Sequence, residues 1–298
     1  MRAGVVTASE SALGNFPAEL LPRDLTETIR FAEIVSFQIP PIPQLEVSRR
    51  GLERLAGYNP LIPWRFALYA AAAGGFDLSG QRFDITIPLP RIAEPALFDL
   101  LGVTYRLLSV PDWHWERSPS AFPRAYLVSR PIVVPEEEGF SLAREREALA
   151  RLVRINPRSS VLLHGAAAEQ ALAPLRSTGA DAFEPYRSVA VASRTAHRLK
   201  LDVTLTRPGI LVLNEPFFPG WRAHDGEREV PVLRANVLFR ALALTPGEHH
   251  LELEFAPESW RVGGWISASA LATTLALVAA ALARTRSLSF ASLKKGGG

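Results

Sequence analysis

The chain has no cysteine among its 298 residues. It therefore cannot form a disulfide, a cysteine-ligated metal site or a cysteine nucleophile. Strong charge of one sign is also absent, because 33 basic residues face 30 acidic ones and the formal net charge is +3. No run rich in lysine and arginine with interleaved aromatics occurs. A nucleic-acid partner is therefore not predicted.

Sequence motifs for catalysis and cofactor binding are missing as well. There is no GxSxG, Walker or GxGxxG motif, so the sequence predicts no catalytic residue and no cofactor. The only close histidines are His249 and His250. Neighbouring residues of a strand point to opposite faces, so these two imidazoles cannot easily share a metal ion. We predict a surface pair at the edge of a turn, and no metal site.

Only one long stretch lacks charge: Val262–Ala283, bounded by Arg261 and Arg284. As a helix it would be about 33 Å long, and a bilayer has a hydrocarbon core of about 30 Å. Trp260 and Trp265 lie at one end, where indole rings favour the membrane interface. The stretch predicts a transmembrane helix over 262–283; the alternative is an alanine-rich helix buried in a soluble domain.

The charges that flank this stretch predict its orientation. Four basic residues follow it, and in the twenty residues before it only Arg261 is basic. The positive-inside bias predicts a single-pass protein of the cell membrane, with a cytoplasmic tail over 284–298 and the large domain outside the cytoplasm. The rival topology is a cytoplasmic domain with a C-terminal tail anchor.

Residues 1–18 show no apolar region behind a basic start, so no signal peptide is visible. We therefore expect this chain to be the tail of a longer multi-spanning protein, whose preceding helices deliver the domain. The many small residues of 262–283 predict packing against neighbouring transmembrane helices, because small side chains allow close approach in a bilayer.

Two segments alternate apolar and polar residues with the period of a strand, at 199–206 and 251–255. Three dipeptides that favour chain reversal punctuate this region: Pro208-Gly209, Asp225-Gly226 and Pro246-Gly247. Together they predict an antiparallel β-sandwich of jelly-roll type.

The first half of the chain has a mixed pattern. We predict helices over Asp24–Ile34, Trp64–Ala73 and Pro95–Leu101, and a strand at Ala125–Val128. A further helix is predicted over 141–154, with Ser141 as its N-cap. The fold class predicted is α+β and β-dominated: a small α+β module over 1–135, a sandwich domain over 136–258 with the leading helix 141–154, and one C-terminal transmembrane helix.

Aromatic residues beside charged ones provide the candidate binding residues. Trp113 and Trp115 are predicted in a loop after a strand, and Trp221 precedes Arg222 and Asp225 in the sandwich. Such side chains could stack on sugar rings and bind their hydroxyls, which makes these five the candidates for carbohydrate binding. In the alternative, Trp221 is the core tryptophan of the sandwich, while Trp113 and Trp115 pack between modules or on the lipid surface.

The stretch that contains the turns resembles the end of the YfhO-like family of bacterial multi-spanning membrane proteins, just before their last transmembrane helix. Earlier landmarks of that family look similar to Gly57–Leu61, Leu97–Tyr105 and Phe122–Val128, so the resemblance covers roughly residues 55–285. The matching positions near the end are Pro219, Gly220, Trp221, Asp225, Gly226, Pro231, Ala235, Asn236, Arg240, Pro246, Gly247, His249 and Pro257.

This resemblance implies kinship with membrane glycosyltransferases that use polyprenyl-linked sugars to modify cell-envelope polymers. In such enzymes the catalytic carboxylates lie in the N-terminal membrane portion, so no catalytic residue carries over to this chain. The resemblance implies an extracytoplasmic accessory domain with the last membrane helix, in contact with the bilayer and with a glycan or polyprenyl-linked sugar. The alternative is a membrane-tethered carbohydrate-binding or structural module without an enzyme.

Overall fold

The computed structural model describes residues 30–34, 47, 51–55, 63–76, 91–108, 114–135, 141–177 and 183–295. Within these ranges the chain is β-rich, with a sandwich of two sheets, a smaller third sheet, and helices against one face of the sandwich. The predicted β-dominated α+β fold with one C-terminal apolar helix is confirmed.

The helices are α1 (Trp64–Gly74), α2 (Pro95–Leu100), α3 (Leu142–Arg154), α4 (Ala166–Ser177) and α5 (Glu258–Lys295). The first eight strands are β1 (Arg30–Ile34), β2 (Glu53–Arg54), β3 (Tyr105–Leu108), β4 (His114–Arg117), β5 (Ala125–Val128), β6 (Arg130–Val134), β7 (Ser160–His164) and β8 (Arg187–Val189). The others are β9 (Ser193–Arg194), β10 (Arg198–Leu205), β11 (Gly209–Pro216), β12 (Trp221–Asp225), β13 (Arg228–Val230), β14 (Leu233–Ala235), β15 (Phe239–Leu244) and β16 (Gly247–Phe255).

One sheet of the sandwich has five strands in the order β13-β12-β16-β10-β9. Strands β10 and β16 pair antiparallel along their length, with Leu199 opposite Leu253. The side chains of β10 are alternately exposed and buried from end to end. The alternation seen in the sequence therefore marks a sheet with one face in water and the other against the core, as predicted.

The other sheet has seven strands in the order β6-β7-β14-β15-β11-β5-β8, antiparallel except for the parallel β6–β7 pair. Its central strands are buried on both faces. Leu211 and Leu213 belong to the core between the two sheets, whereas Ile210 and Val212 belong to the core beneath helices α1 to α4. These strands read as continuous apolar runs because neither face meets water.

Two of the three predicted chain reversals, Asp225-Gly226 and Pro246-Gly247, are confirmed in the sandwich. Gly226, with a φ of +57°, turns the chain between β12 and β13, and Gly247, with a φ of +137°, begins β16 after the two residues that follow β15. Positive φ favours glycine, because a side chain at such a residue clashes with its own backbone.

The N-terminal region departs from the prediction in two places. Residues 30–34 form a strand, not the end of a helix over Asp24–Ile34, because β1 pairs in parallel with both β2 and β3. Residues 24–29 lie outside the described ranges. The predicted strand Ala125–Val128 is present as β5, but it pairs with β11 in the seven-stranded sheet. Strand β6, which also lies within the predicted module over 1–135 but was not predicted as a strand, pairs with β7 in the same sheet.

The other predicted helices are confirmed to within a residue or two. Helix α1 ends at Gly74 and is capped by Gly75, which has a φ of +64° and donates its amide to the last turn. Helix α3 begins after Ser141, whose side chain makes no capping hydrogen bond.

Helix α5 begins two residues after β16 and runs past both ends of the predicted 262–283 segment. Its stretch Glu258–Ala281 is long and apolar enough to cross a membrane, with a mean hydropathy of 1.6. None of the most apolar window of that stretch is buried against the rest of the described chain. The alternative of a helix buried within a soluble domain is therefore wrong for this segment.

Candidate functional site

Three of the predicted carbohydrate-binding residues lie on strand β12, but they do not converge on one surface. Trp221 and Asp225 share the side of the strand that also carries the buried Ala223, and Arg222 points to the other side. Four residues separate Trp221 from Asp225, which is about 13 Å along a strand. The three side chains therefore do not form one binding surface.

Trp221 lies at the margin of the core between the two sheets and is half-buried. The guanidinium carbon of Arg240 lies 3.7 Å from the centre of its indole ring, and the ring of Phe255 packs beside it at 5.5 Å. A guanidinium over an indole face is a favourable cation–π contact. Arg240 thus occupies one indole face, and the packing fits the alternative in which Trp221 belongs to the sandwich core.

Arg240 joins Trp221 to a cluster of four arginines and two glutamates. The carboxylate of Glu215 accepts from Arg30 at 3.0 Å and from Arg124, and lies 3.9 Å from Arg240. The carboxylate of Glu53 accepts from Arg124 at 2.6 Å and from Arg30 at 3.3 Å, and pairs with Arg194. Because these residues come from β1, β2, β9, β11, β15 and the residue before β5, the cluster fastens the small sheet to the sandwich.

The charged groups of the cluster are shielded from water, and this burial affects their pKa values. Burial alone would raise the pKa of Glu215, but the adjacent Arg30, Arg124 and Arg240 outweigh it and lower that pKa. Burial lowers the pKa of Arg240 to about 10, against the opposing effect of Glu215. Both groups therefore stay charged at neutral pH, and each carboxylate is shared among several guanidinium groups. The arrangement suits a structural role better than acid–base chemistry.

Asp225 is engaged in the turn that follows β12. Its carboxylate lies 2.7 Å from Nδ1 of His249 and accepts from the backbone amide of His250 at 2.9 Å. Nε2 of His249 lies 2.8 Å from the carbonyl oxygen of Thr245. Both ring nitrogens of His249 lie within hydrogen-bonding distance of protein oxygen atoms, so these contacts hold the ring in place at the end of the sandwich. The prediction that both histidines lie at the surface is wrong for His249, which is buried because its side of β16 faces inward.

Asp225 and His249 also line a pocket of about 330 Å³ between helix α4 and the end of the sandwich. Its wall is apolar, from residues such as Ala171, Pro174 and Leu244. Its polar residues are Gln170, Asp225, Arg228, Glu229, Thr245 and His249. A wall of this kind with several hydrogen-bonding groups at its edge suits a small molecule that is part apolar and part hydroxylated.

The two remaining candidates are far from β12 in the sequence. Trp115 lies on strand β4 opposite Leu107, not in a loop as predicted, because β3 and β4 pair antiparallel. Trp113 lies outside the described residues. The carbohydrate-binding role of the five residues stays a prediction, and among them only Asp225 lines this pocket.

Sequence reasoning missed Glu215, Arg240 and the other members of the charged cluster as a unit. They lie far apart along the chain, so no spacing could have indicated them. Comparison of the chain with protein-family models, curated proteins and solved structures finds no match.

Proposed function

We propose that this chain is a membrane-anchored, extracytoplasmic accessory domain of a YfhO-like glycosyltransferase, to which it contributes the last membrane helix. The observation that carries the proposal is the apolar stretch Glu258–Ala281, whose most apolar window is not buried against the rest of the described chain. So large an exposed apolar surface is unstable in water and stable in lipid. The order of a sandwich followed at once by this helix also fits the resemblance in the sequence.

Three hydroxyl groups of the apolar stretch have hydrogen-bond partners within the helix. The hydroxyls of Ser269, Thr273 and Thr274 each donate to the carbonyl oxygen four residues earlier, at 2.8 to 2.9 Å. In hydrocarbon every polar group needs an internal partner, and these three have one. Trp260 and Trp265 are 72% and 73% exposed near the start of the helix, as expected for residues at the lipid–water interface.

The proposed topology can be tested with single cysteines, because the natural chain has none. Glu227→Cys places a thiol in the exposed turn after β12, and Ser289→Cys places one beyond the apolar stretch. In intact cells we expect a membrane-impermeant maleimide to label the first variant and to label the second only after the membrane is permeabilised. Labelling of Ser289→Cys alone in intact cells would reverse the topology.

The association with an enzyme needs a separate test. The DNA upstream of the codon for Met1 is expected to encode a protein with many membrane helices that copurifies with this chain in mild detergent. If no such protein is encoded or bound, the glycosyltransferase assignment is wrong, while the membrane anchor stands on the cysteine test.

The second candidate function is a membrane-tethered carbohydrate-binding module, and the pocket beside Asp225 favours it. Gln170 and Arg228 are exposed members of its edge, so substituting them leaves the core intact. If the pocket binds sugar, the full chain in detergent retains glycans on an array, and Gln170→Ala with Arg228→Ala removes this signal. Equal retention by the double variant would exclude the pocket.

A further inference from the structure

The loop between strands β11 and β12, residues 217–220, exposes apolar side chains. Its sequence is Phe217-Phe218-Pro219-Gly220, without a charge. Phe218 is 39% exposed, and Pro219 beside it is exposed as well. In the part of the chain that the structure describes, the other exposed large hydrophobic side chains outside α5 are Trp64 and Leu142. Single exposed apolar residues are common, so the position of the loop in the fold decides whether it has a role.

The loop lies at the end of the sandwich from which helix α5 leaves. Strand β12 begins at Trp221, directly after the loop, and Trp221 pairs with Phe255, the last residue of β16. The carbonyl oxygen of Gly220 accepts a hydrogen bond from the amide of Ala256 at 2.8 Å. Ala256 lies two residues before the helix begins. The loop and the start of α5 are therefore neighbours.

Packed aromatic rings connect the base of the loop to the helix. The ring of Phe255 packs against those of Trp221 and Trp260. The amide of Trp221 donates to the carbonyl oxygen of Phe218 at 3.4 Å, so the exposed Phe218 is one turn of chain away from these rings. Trp260 and Trp265 are exposed in the first turns of α5. Exposed aromatic residues of the loop and of the helix thus share one end of the molecule.

The opposite end of the sandwich has a different surface. Strand β12 ends there at Asp225, about 13 Å from Trp221 along the strand. Strand β10 also ends there, since its last residue pairs with the first residue of β16. The described turns and strand ends at this far end carry exposed charged residues: Arg207, Glu227, Arg228 and Glu248. Exposed apolar residues belong to the end that carries the membrane helix.

Helix geometry places the loop close to the lipid headgroups. The uncharged stretch begins at Val262. In an upright helix, Glu258 therefore lies about 6 Å outside the hydrocarbon core. A bilayer of about 40–45 Å with a core of about 30 Å has a headgroup layer of roughly 5–8 Å on each side. The Cα atom of Phe218 lies at most about 7 Å from that of Gly220, so the loop is within reach of this layer.

We propose that the loop 217–220 is a second contact of this chain with the membrane, in which Phe218 and Pro219 lie among the lipid headgroups beside the start of α5. The inference rests on the proposed function, because it requires α5 to span the bilayer. The partner is the bilayer surface, since the loop adjoins the segment that enters it. Aromatic side chains of membrane-surface segments are stable at the boundary between headgroups and acyl chains.

The contact can be tested on the full chain in lipid nanodiscs, with single cysteines that carry an environment-sensitive fluorophore. Phe218→Cys reports on the loop, Leu275→Cys on the helix, and Glu227→Cys on the far end of β12. A nitroxide quencher on the lipid headgroups should remove most of the fluorescence of the Phe218→Cys label. A quencher deep in the acyl chains should do the same to the Leu275→Cys label. Neither quencher should affect the Glu227→Cys label, because that turn lies farther from the lipid.

A second measurement keeps the natural side chain of Phe218. In NMR spectra of the natural chain in nanodiscs, lipids with a headgroup nitroxide should broaden the amide resonance of Gly220. Phe218→Ser is expected to reduce this broadening, because a serine does not hold the loop among the headgroups. Leu142→Ser is the matched control: Leu142 is 37% exposed and begins helix α3, and its replacement should leave the Gly220 resonance as broad as in the natural chain.

The outcomes separate this inference from the proposed function. If the deep quencher does not affect the Leu275→Cys label, the proposed membrane helix is wrong and the loop contact falls with it. If that label is quenched but the Phe218→Cys label is quenched no more than the Glu227→Cys label, the helix stands as the anchor and the loop contact is wrong. The loop would then be available to a protein partner. Equal broadening of Gly220 in the natural chain and in Phe218→Ser also overturns the contact.

Discussion

At the scale of single residues, the buried turn at Asn236 and Val237 is the most demanding position in the fold. Both residues are 0% exposed and have positive φ. The Oδ1 of Asn236 accepts a hydrogen bond from the backbone amide of Leu162 in strand β7. An asparagine tolerates this backbone better than most residues, because its short polar side chain can bond locally. Here it bonds across to another strand instead.

Asn236→Ala is expected to lower the free energy of unfolding by about 2–4 kcal/mol, because it leaves the Leu162 amide buried without a partner and places alanine at positive φ. Asn236→Gly loses the same hydrogen bond but adopts the φ of +46° freely, so its loss should be about 1 kcal/mol smaller. Urea unfolding followed by circular dichroism measures both. Equal losses would mean that the backbone stores no strain at this position.

The contribution of Asp225 to the stability of the fold is expected to depend on pH. Burial would raise its pKa, but the hydrogen bonds from His249 and from the His250 amide outweigh burial and lower it. A carboxyl whose pKa is lower when folded than when unfolded stabilises the fold above its unfolded pKa of about 3.9, and this contribution is lost as pH falls through the folded pKa.

We therefore expect Asp225→Asn to cost about 1–2 kcal/mol of unfolding free energy at pH 7, and this difference from the natural chain to shrink as pH falls below about 4. Asp202→Asn is the control, because Asp202 pairs with His250 at 67% side-chain exposure and surface pairs contribute little. A difference for Asp225→Asn that stays constant down to pH 2 would contradict the pairing.

At the scale of elements, the sequence predicted those strands whose environment differs on their two faces. Strands β10 and β16 each have one solvent-exposed face, and the alternation of polar and apolar residues in their sequences indicates it. Strand β5 was predicted too, but not its place in the larger sheet. Every residue of β5 is buried, so its sequence has no alternation of apolar and polar residues that would indicate which strands lie beside it. The charged cluster around Glu215 escaped prediction for the same reason, since it exists only once distant strands pair.

The junction between β16 and α5 depends on Gly220. This residue has a φ of +104°, and a Cβ there would lie 2.8 Å from Cα of Pro257. Its carbonyl accepts from the Ala256 amide at 2.8 Å. No pattern in the sequence could show that this glycine touches a proline 37 residues away; only the pairing of β12 with β16 brings them together.

Gly220→Ala should therefore lower the free energy of unfolding by about 3 kcal/mol, from backbone strain and a clash that flexible side chains cannot relieve. Gly226→Ala is the matched control: its φ is +57° but no atom lies within 4 Å of an added Cβ, so the expected loss is only about 1 kcal/mol. Thermal unfolding followed by tryptophan fluorescence compares the two. A larger loss for Gly226→Ala would contradict the described contact with Pro257.

At the scale of the whole molecule, the chain divides into a densely packed sandwich with helices on one face and a single long helix, α5. The most apolar window of α5 is not buried against the rest of the described chain. Leu271 and Leu275 lie in the central part of the uncharged stretch 262–283 and are 61% and 60% exposed. The length and uncharged composition of this stretch were sufficient to predict it from sequence, because a bilayer sets a simple requirement on both.

Leu271→Arg with Leu275→Arg should release the chain from membranes into the carbonate-soluble fraction, since each central arginine costs roughly 2.5–3.5 kcal/mol on insertion. Leu271→Ala with Leu275→Ala removes the same side chains without adding charge and should stay in the membrane pellet. If the arginine variant also remains in the pellet, the helix does not cross the bilayer at these residues.

The link between sandwich and helix is only Ala256 and Pro257, and the rings of Phe255 and Trp260 meet across it with their centres 6.4 Å apart. A link of two residues, one of them a proline with a fixed φ, restricts rotation of the helix relative to the sandwich. If the helix spans a bilayer, this link would then hold the sandwich at a fixed distance from the membrane surface and in a fixed orientation to it. The pocket beside Asp225 would then lie at a constant height above the lipid. Lengthening this link by a few glycines should therefore alter which molecules can reach the pocket without changing the pocket itself.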